Sequence, residues 1–293
     1  MNNFTPISFA EKATYDAFWQ VTPFHSIDYT LANIWGWQRY FGLTWSHEAK
    51  VCWIRQEQPE PVYWAPLGDW ASLDWEKELA QLEKSQKTFI RVPEALLTIW
   101  QERLPGRLQV FEDRGQWEYL YARDDLALLP GKNFHKKKNH CSSFEREYGE
   151  PDYHELNTDI VEDVLGLQDE WCQWHECDDS TSLRAENEAI NQVLSHWHEF
   201  KNMLGGAIYI DGRIAAFSIG EKLDDKNLGV HYEKGLLGYK GIYQVINHEF
   251  ARHAGEGFSF LNRAQDLDEE GLRAAKMSYH PVDFVKKYKV VIA

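Results

Sequence analysis

The sequence predicts an α/β protein of two similar halves, each a mixed sheet flanked by helices. Short β-rich runs alternate with helical stretches along all 293 residues. A chain of this length favours two domains, because ~150 residues per domain is usual. The alternation before residue 125 is much like the one after it, which indicates a degenerate structural duplication, although no residue-level repeat is visible.

The first half opens with a helix start. Ser8 and Glu11 form a capping-box pattern, in which the hydroxyl and the carboxylate each bond an N–H of the first turn. Pro23 and Asp28 bracket a second helix start, and Pro93 stands where a first-turn proline belongs. The predicted helices cover 8–20, 28–40, 72–84 and 94–103, and the predicted strands cover 51–55, 62–65, 89–92, 109–112 and 117–121.

A boundary is predicted where charged residues meet a Pro-Gly turn, at Asp124–Gly131. It divides the chain into an N-terminal domain of residues 1–125 and a C-terminal domain of residues 126–293. Helical spacing follows over 132–148, from Asn157 or Thr158 to 171, and over 186–200. The last two helices are expected to flank the sheet of the second domain.

The sheet of the second domain begins with a hairpin. Asp211-Gly212 joins the β-rich runs 205–210 and 213–220, and both turn residues tolerate positive φ. A third run covers 229–233 and leads into a turn punctuated by glycines, Gly235–Gly241. A helix over 242–254 and a strand over 258–262 complete the order strand, strand, strand, helix, strand.

That order, with a glycine turn feeding a helix after a central strand, resembles the core of the GNAT-type acyltransferases. More specific residues resemble the C-terminal domain family of phosphatidylglycerol lysyltransferases, and they are Leu129–Lys132, Lys137, Lys138, Asn139, Phe144, Leu261–Arg263, Gln265–Leu267, Gly271–Lys276 and Ser278–Pro281. The resemblance covers most of the chain. It implies tandem GNAT-like (acyl-CoA N-acyltransferase-like) domains and transfer of an acyl group, with aminoacyl-tRNA as a candidate donor. It does not name the acceptor.

Donor-binding residues are expected at the glycine turn and beside it. Backbone N–H groups at such a turn and the positive end of the helix dipole suit a phosphate. Neither register of the turn matches the Gln/Arg-x-x-Gly-x-Gly/Ala loop of the acyl-CoA enzymes, which favours another donor and leaves CoA open. The predicted donor-binding residues are Gly238, Lys240, Gly241, Arg263, Asn247, Lys137 and Lys138. The lysine run at 136–138 is either a solvated helix face or a phosphate patch.

Catalytic residues are expected at the end of the last strand and on the helix after it. Arg273 and Lys276 share a helix face and could hold the phosphate of a terminal adenosine or stabilise an oxyanion. Asp266 would orient the incoming amine or hydroxyl, or pair with Arg273. His231 and Glu233 alternate along a strand and are predicted on one face, where either could be a general base. The predicted catalytic residues are Asp266, Arg273, Lys276, Tyr279, His231 and Glu233. The alternative for the first four is an ion-pair network that knits the last helix to the sheet. The alternative for His231 and Glu233 is a strand end that faces solvent.

Charge and cysteine content limit the partners and the setting. A net charge of −15 argues against broad nucleic-acid binding, so a tRNA donor requires a local basic patch. The four cysteines, in a chain whose start has no secretory pattern, predict a reduced cytoplasmic setting. Cys172, His175 and Cys177 form one irregular cluster, which favours a helix end over a metal site. No metal and no cofactor are predicted.

Three function classes remain open. The first is an acyltransferase that carries an aminoacyl group from aminoacyl-tRNA to an amine or hydroxyl of a small molecule or a lipid headgroup. The second is a CoA-dependent N-acetyltransferase acting on a cationic small molecule, and the third is a non-catalytic binding or sensor protein. No apolar run reaches the ~18–20 residues that cross a bilayer, so no integral membrane segment is predicted.

Overall fold

The computed structural model describes residues 3–48, 50–82 and 87–293. The chain forms two compact units, the first of Met1–Glu118, Gln265–Glu269 and Val285–Ala293, and the second of Tyr119–Ala264 and Glu270–Phe284. The sequence predicts a single division after residue 125. The observed division comes seven residues earlier, and two late segments of the chain return to the first unit.

The first unit holds a seven-stranded sheet. Its elements are β1 (Thr5–Pro6), α1 (Lys12–Val21), α2 (Leu31–Phe41), β2 (Thr44–Glu48), β3 (Val51–Gln56), β4 (Val62–Trp64), α3 (Trp75–Ala80), β5 (Lys87–Pro93), α4 (Glu94–Arg103) and β6 (Leu108–Glu112). The last strand of this sheet comes from the far end of the chain and is named β14 (Lys287–Ile292) below. The strand order is β1-β2-β3-β4-β5-β14-β6, and β4 and β5 pair in parallel.

Aromatic rings and a buried ion cluster fill the first unit. Trp45, Trp53, Trp64 and Trp100 are all fully buried. Beside them the ammonium of Lys287, itself fully buried, bonds Asp28 and lies 2.6 Å from Glu118 Oε1. Such a cluster is stable only because each charge has a partner.

The second unit repeats this arrangement. Its elements are β7 (Glu118–Ala122), α5 (Arg123–Leu128), α6 (His135–Tyr148), β8 (Asp152–Glu155), α7 (Val161–Trp174), α8 (Thr181–Ser195), β9 (Met203–Ile210), β10 (Arg213–Lys222), β11 (Asn227–Gly235), α9 (Ile242–Arg252), β12 (Phe260–Asn262), α10 (Glu270–Met277) and β13 (Asp283–Val285). The strand order is β13-β7-β12-β11-β10-β9-β8, and β11 and β12 pair in parallel. The parallel pair therefore takes the same place in both sheets, which agrees with the predicted duplication.

Most predicted elements are present with shifted ends. Glu11 does not cap the first helix, because its carboxylate accepts a hydrogen bond from the Trp45 indole at 2.8 Å. Thr30 rather than Asp28 caps α2. The helix predicted from residue 186 begins at Thr181, since the Ser180 hydroxyl accepts from Leu183 N. The helix predicted over 72–84 is observed as α3, and its predicted end at Lys84 lies outside the described residues.

The cysteines differ from the prediction in one pair. Cys172 and Cys177 form a disulfide, because the end of α7 and the short turn after it bring their Cα atoms to 5.1 Å. The prediction that all four cysteines are reduced is therefore wrong for this pair. Cys52 and Cys141 are free and buried, and burial raises the pKa of the Cys141 thiol to about 12.

Across residues 3–48, 50–82 and 87–293, none of the helices combines the length and the apolar character that crossing a bilayer requires.

Candidate active site

The candidate site lies where β11 and β12 separate. These strands pair only over Asn227–Gly229 and Phe260–Asn262. Beyond that point β11 continues to Gly235 without β12 beside it, while the chain after β12 continues its pairing with β7, with Arg263 N donating to Tyr119 O. Beside the end of β11, side chains therefore take the place that a neighbouring strand would otherwise occupy.

An ion pair occupies this opening. The Arg263 guanidinium lies 3.0 Å from Glu233 Oε1, and both side chains are 14% exposed. Burial alone would lower the pKa of Arg263, but the charge of Glu233, the neighbouring Tyr121 and Tyr279 and the hydrogen bond to Glu233 together outweigh it, and the pKa is raised. Asn247 of α9 donates from Nδ2 to Glu233 Oε2 at 3.4 Å. The carboxylate is therefore oriented from two sides.

Two tyrosine rings flank Arg263. Its Cζ atom lies 4.9 Å from the ring centroid of Tyr279 and 5.7 Å from that of Tyr121, within the range of cation–π attraction. Burial raises the pKa of both phenols, although the Arg263 charge opposes this. Both hydroxyls are therefore protonated at neutral pH and able to donate hydrogen bonds.

Lys137 reaches the same place from α6. Its ammonium donates to Ser278 Oγ at 2.7 Å and lies 3.9 Å from the Tyr279 ring centroid. Partial burial and then the nearby Arg263 charge lower the pKa of Lys137. We call Arg263, Glu233, Tyr121, Tyr279 and Lys137 the Arg263 site.

The last turn of α10 is tied to the Arg263 site through backbone groups. The Lys276 ammonium donates to the Arg263 carbonyl, and the Tyr121 hydroxyl donates to the Lys276 carbonyl at 2.8 Å. Lys276 therefore holds the backbone of Arg263 in place, while its charge stays near the site. Arg273 lies on α10, one turn before Lys276, and is half-buried.

Two buried oxygens beside Glu233 have no hydrogen-bond partner among the residues that the structure describes. They are Ser218 Oγ and Asn247 Oδ1, on side chains that are 0% and 1% exposed. Ser218 lies directly opposite Glu233 in the pairing of β10 with β11, so the two side chains share a face. Sequence reasoning missed Ser218 and Tyr121, and a lone serine in the apolar run of β10 was the only signal for the former.

His231 is not on the face of Glu233, which corrects the prediction. The register of β10 with β11 passes from Ile219–Tyr232 to Gly220–Val230, so His231 is an extra residue in a bulge. Its Nε2 lies 3.1 Å from Glu221 Oε2, and the His231 side chain is 1% exposed. Side chains no longer alternate regularly between the two faces of a sheet at a bulge, and no pattern in this sequence indicated a bulge.

Asp266 belongs to the first unit. Its carboxylate lies 3.0 Å from Arg114 and accepts a hydrogen bond from Asp268 N at 2.9 Å. Asp266 is fully buried, and its observed contacts are those of a side chain that fixes a loop.

The glycine turn precedes α9, as expected from its sequence. Gly238 and Gly241 have φ of 100° and 90°, which other residues rarely adopt. The Tyr148 hydroxyl donates to Gly238 O at 3.1 Å and accepts from Lys240 N at 3.3 Å. Part of the polar capacity of this turn is therefore used within the protein. Lys138 is exposed on the first turn of α6.

Comparisons with known proteins were consistent with this architecture. Residues 19–291 match the family described as phosphatidylglycerol lysyltransferase, C-terminal. A conserved protein of unknown function from Bacteroides thetaiotaomicron is 30% identical, with a TM-score of 0.90 and 100% of each chain covered. A putative lysylphosphatidylglycerol synthetase C-terminal domain from Agrobacterium fabrum is 16% identical, with a TM-score of 0.66 over 97% of this chain and 92% of that one.

Two further matches are more distant. The L-PGS structure from Bacillus licheniformis is 13% identical, with a TM-score of 0.65 over 96% of this chain and 91% of that one. An uncharacterized protein of Mycoplasmoides gallisepticum is 22% identical over 175 residues, and the match covers 59% of this chain and 56% of that protein. The match thus spans a little over half the length of that curated relative. Each unit holds a mixed seven-stranded sheet flanked by helices, and the chain shares its fold with the Agrobacterium fabrum and Bacillus licheniformis structures.

Proposed function

This chain belongs to the phosphatidylglycerol lysyltransferase C-terminal family, which supports an acyltransferase-type role, and on that premise we propose that it transfers an aminoacyl group from aminoacyl-tRNA to an amine or hydroxyl acceptor. The Arg263 site is where the donor ester and the acceptor meet. The reaction takes place in the cytoplasm, where charged tRNA is available.

The observation that carries this proposal is the position of Lys137. It shares the first turn of α6 with Lys136 and Lys138, and it alone of the three turns inward to Ser278 and Tyr279. A tRNA backbone whose phosphates contact the exposed Lys136 and Lys138 would therefore place its aminoacylated end near Arg263. We call Lys136, Lys137 and Lys138 the basic turn.

The charge around the basic turn suits a nucleic acid. Residues 126–144 contain four lysines and no acidic residue, in a chain whose net charge is −15. The basic turn also stands at the N-terminus of α6, where Phe134 provides no side-chain cap. Cations at the positive end of a helix dipole repel it, and a bound phosphate would relieve that repulsion.

The chemistry follows from the groups at the site. Attack on the aminoacyl ester produces a tetrahedral oxyanion, and the Arg263 guanidinium and the Tyr279 hydroxyl are donors suited to stabilise it. The Glu233 carboxylate accepts the proton that the nucleophile loses. Holding donor and acceptor side by side supplies most of the remaining gain in rate.

The alternative donor is acetyl-CoA, bound at the glycine turn. The open space beside Gly238, where a Cβ would meet nothing within 4 Å, favours close approach of a pyrophosphate. The hydrogen bond from Lys240 N to Tyr148 reduces the number of backbone donors left for it. A non-catalytic binding role would keep either ligand and lose the reaction.

Binding by the purified protein tests the donor. We expect aminoacyl-tRNA, and not acetyl-CoA, to raise the thermal unfolding midpoint, and we expect the effect to weaken steeply with added salt. Lys136→Ala with Lys138→Ala should weaken tRNA binding about 10-fold or more, because each lost phosphate contact lowers affinity. Lys201→Ala, at an exposed lysine outside residues 126–144, is the matched control.

The same protein tests the reaction. The tRNA is charged with a labelled amino acid and incubated with a mixture of amines and hydroxyl compounds as acceptors. The tRNA should lose its label faster with the wild type than with Arg263→Ala. Stabilisation by acetyl-CoA alone would reject the tRNA donor, and binding of tRNA without any transfer would support the non-catalytic role.

A further inference from the structure

The sheet of the first unit ends in an apolar edge strand. β6 (Leu108–Glu112) is the last strand of that sheet and pairs on one side only, with β14. Four of its five side chains are exposed, among them Val110 at 37% and Phe111 at 52%. An edge strand with exposed apolar side chains is a template on which another strand can pair. We call the side of β6 that faces away from β14 the free edge.

The other three sheet edges that the structure describes carry features that prevent such pairing. β1 is two residues long and contains Pro6, and β13 is three residues long and begins with Asp283. β8 follows Pro151 and has a carboxylate at each end. Short length, proline, charge and bulges are the usual means of keeping edge strands apart. β6 contains no proline and pairs with β14 without a bulge, so Glu112 is its one protective feature.

The backbone groups at the free edge belong to alternate residues of β6. Asp113 N donates to the Lys287 carbonyl at 3.1 Å, so the odd-numbered residues of this segment bond β14. In an antiparallel ladder, residues that bond one neighbour alternate with residues whose N–H and C=O groups face the other way. The groups that point to the free edge are therefore those of Leu108, Val110 and Glu112.

These three residues can all pair with the same three residues of a second copy in one antiparallel register. That register is centred on Val110, which lies opposite itself, and it places Leu108 opposite Glu112 of the other copy. It forms about six backbone hydrogen bonds. Any other register leaves at least one of the three residues beyond the end of the other β6 strand.

The side chains are complementary in the same register. Arg107 extends the ladder by one residue, because its carbonyl accepts from Ala293 N at 3.0 Å, and Asp113 extends it at the other end. The Arg107 side chain is 41% exposed, and in this register it lies opposite Asp113 of the other copy. Opposite charges therefore face each other at both ends, and the two copies of Phe111 become diagonal neighbours within reach of each other.

We infer that the protein forms a symmetric dimer in which the β6 strands of two copies pair antiparallel about Val110. The two seven-stranded sheets then join into one continuous sheet across the two-fold axis. A second copy suits this edge better than an unrelated strand does, because the outward residues and the charges of Arg107 and Asp113 are placed symmetrically about Val110. The assembly closes at two copies, since each copy contributes the same edge.

Sedimentation equilibrium of the full-length protein tests the dimer. We expect the wild type to approach the mass of two chains by about 100 μM, as a small interface binds weakly. Val110→Lys brings two ammonium groups together at the axis and should raise the dissociation constant at least about 10-fold. His154→Lys, at an exposed position of the edge strand β8, is the matched control and should leave that constant unchanged.

Three results of this experiment would overturn the inference. The first is a wild type that remains monomeric at about 100 μM. The second is an assembly that grows beyond two copies, because a two-fold pairing closes. The third is a Val110→Lys variant that dimerises like the wild type, which would place the interface elsewhere. The unfolding midpoint of each variant shows that the chain still folds.

Cysteine cross-linking tests the register without depending on Val110→Lys. Residue 110 meets itself only in the register centred on Val110, so Val110→Cys should form a covalent dimer on mild oxidation. Glu112→Cys lies on the same strand but opposite Leu108 of the other copy, and it should cross-link at least about 10-fold more slowly. The free cysteines of the wild type, Cys52 and Cys141, are buried and should not react. Equal cross-linking of the two variants, or none in Val110→Cys, would reject this pairing.

Discussion

Arg91 and Arg263 occupy equivalent positions in the two sheets. Arg91 follows Ile90, the last residue of β5 that pairs with β4, and Arg263 follows Asn262, the last residue of β12 that pairs with β11. Each guanidinium bonds a carboxylate, that of Asp28 or Glu233, and each lies over aromatic rings.

The two copies differ in what surrounds the carboxylate. Asp28 also bonds the fully buried Lys287, whose ammonium is shared with Glu118. Glu233 instead has two unpartnered oxygens beside it, on Ser218 and Asn247, within the described residues. In the first unit, cationic side chains of the protein surround the carboxylate of Asp28. In the second unit, the carboxylate of Glu233 has hydrogen-bonding groups beside it that the described residues leave unused.

Replacing Glu233 by glutamine should separate chemistry from folding. Glu233→Gln keeps the shape and can still bond Arg263, but it removes the proton acceptor. We expect kcat for aminoacyl transfer to fall about 10²-fold with KM for charged tRNA nearly unchanged. Single-turnover transfer kinetics measure this, with the unfolding midpoint as a check on the fold. An undiminished kcat would assign Glu233 a structural role.

Arg263→Lys keeps the positive charge and loses the planar guanidinium. A lysine cannot reproduce the geometry that places Arg263 between Glu233 and the rings of Tyr121 and Tyr279. We expect kcat to fall about 10²-fold, as on loss of one oxyanion donor. Full activity in Arg263→Lys would show that charge alone suffices and that the guanidinium does not contact the oxyanion.

Asp266→Asn should affect stability rather than transfer. The change weakens the contact with Arg114 and leaves an oxygen to accept from Asp268 N. We expect the free energy of unfolding to fall by about 1–3 kcal/mol, since a charged hydrogen bond of a buried group is lost. Chemical denaturation measures this free energy. A large loss of kcat in a variant that still folds would show that Asp266 takes part in catalysis.

Acid should weaken the first unit through Asp28. Burial alone would raise the pKa of Asp28, but the charges of Arg91 and Lys287 outweigh it and hold the pKa below its ordinary value of 3.8. Because the folded pKa is lowered, this stabilisation is fully present above the unfolded pKa and is lost as pH falls through the folded pKa. The loss therefore lies below about pH 4.

Asp28→Asn tests that assignment. It should lower stability at neutral pH by about 3 kcal/mol, because Arg91 and Lys287 lose a buried partner. The same variant should show a shallower decline in stability below about pH 4. Thermal unfolding as a function of pH, compared with Asp124→Asn at an exposed carboxylate, measures both effects. Parallel curves for the wild type and Asp28→Asn would contradict the pKa assignment.

The disulfide between Cys172 and Cys177 should contribute modestly to stability. The loop that it closes spans only five positions, so the entropy that it removes from the unfolded chain amounts to about 2 kcal/mol. We expect the double variant Cys172→Ser, Cys177→Ser to lose about that much, measured by denaturant unfolding without reductant. Reductant should lower the stability of the wild type and leave the double variant unchanged.

The sequence predicted elements better than it predicted contacts. The hairpin at Asp211-Gly212, the glycine turn and α9 follow from local chemistry, because each has its own turn or period signal. The convergence of Lys137 with Arg263 was not predicted, since no local rule relates positions so far apart in the chain. His231 was misplaced because a bulge shifts the alternation of side chains by one residue.

The late segments of the first unit were not predicted for a related reason. A short run such as β14 resembles any edge strand, and nothing in its residues says which sheet it joins. Asp266 was therefore grouped with the residues that adjoin it in the chain, whereas its observed partner Arg114 comes from a segment far earlier.

The position of β14 within the first sheet has a consequence for biosynthesis. This strand stands between β5 and β6, and it also supplies Lys287 to the buried carboxylates of Asp28 and Glu118. The sheet of the first unit therefore cannot be completed until residues 287–292 have been translated. The second sheet also receives a late strand, β13, but that strand lies at its edge, so the first sheet is the one whose interior depends on a late segment of the chain.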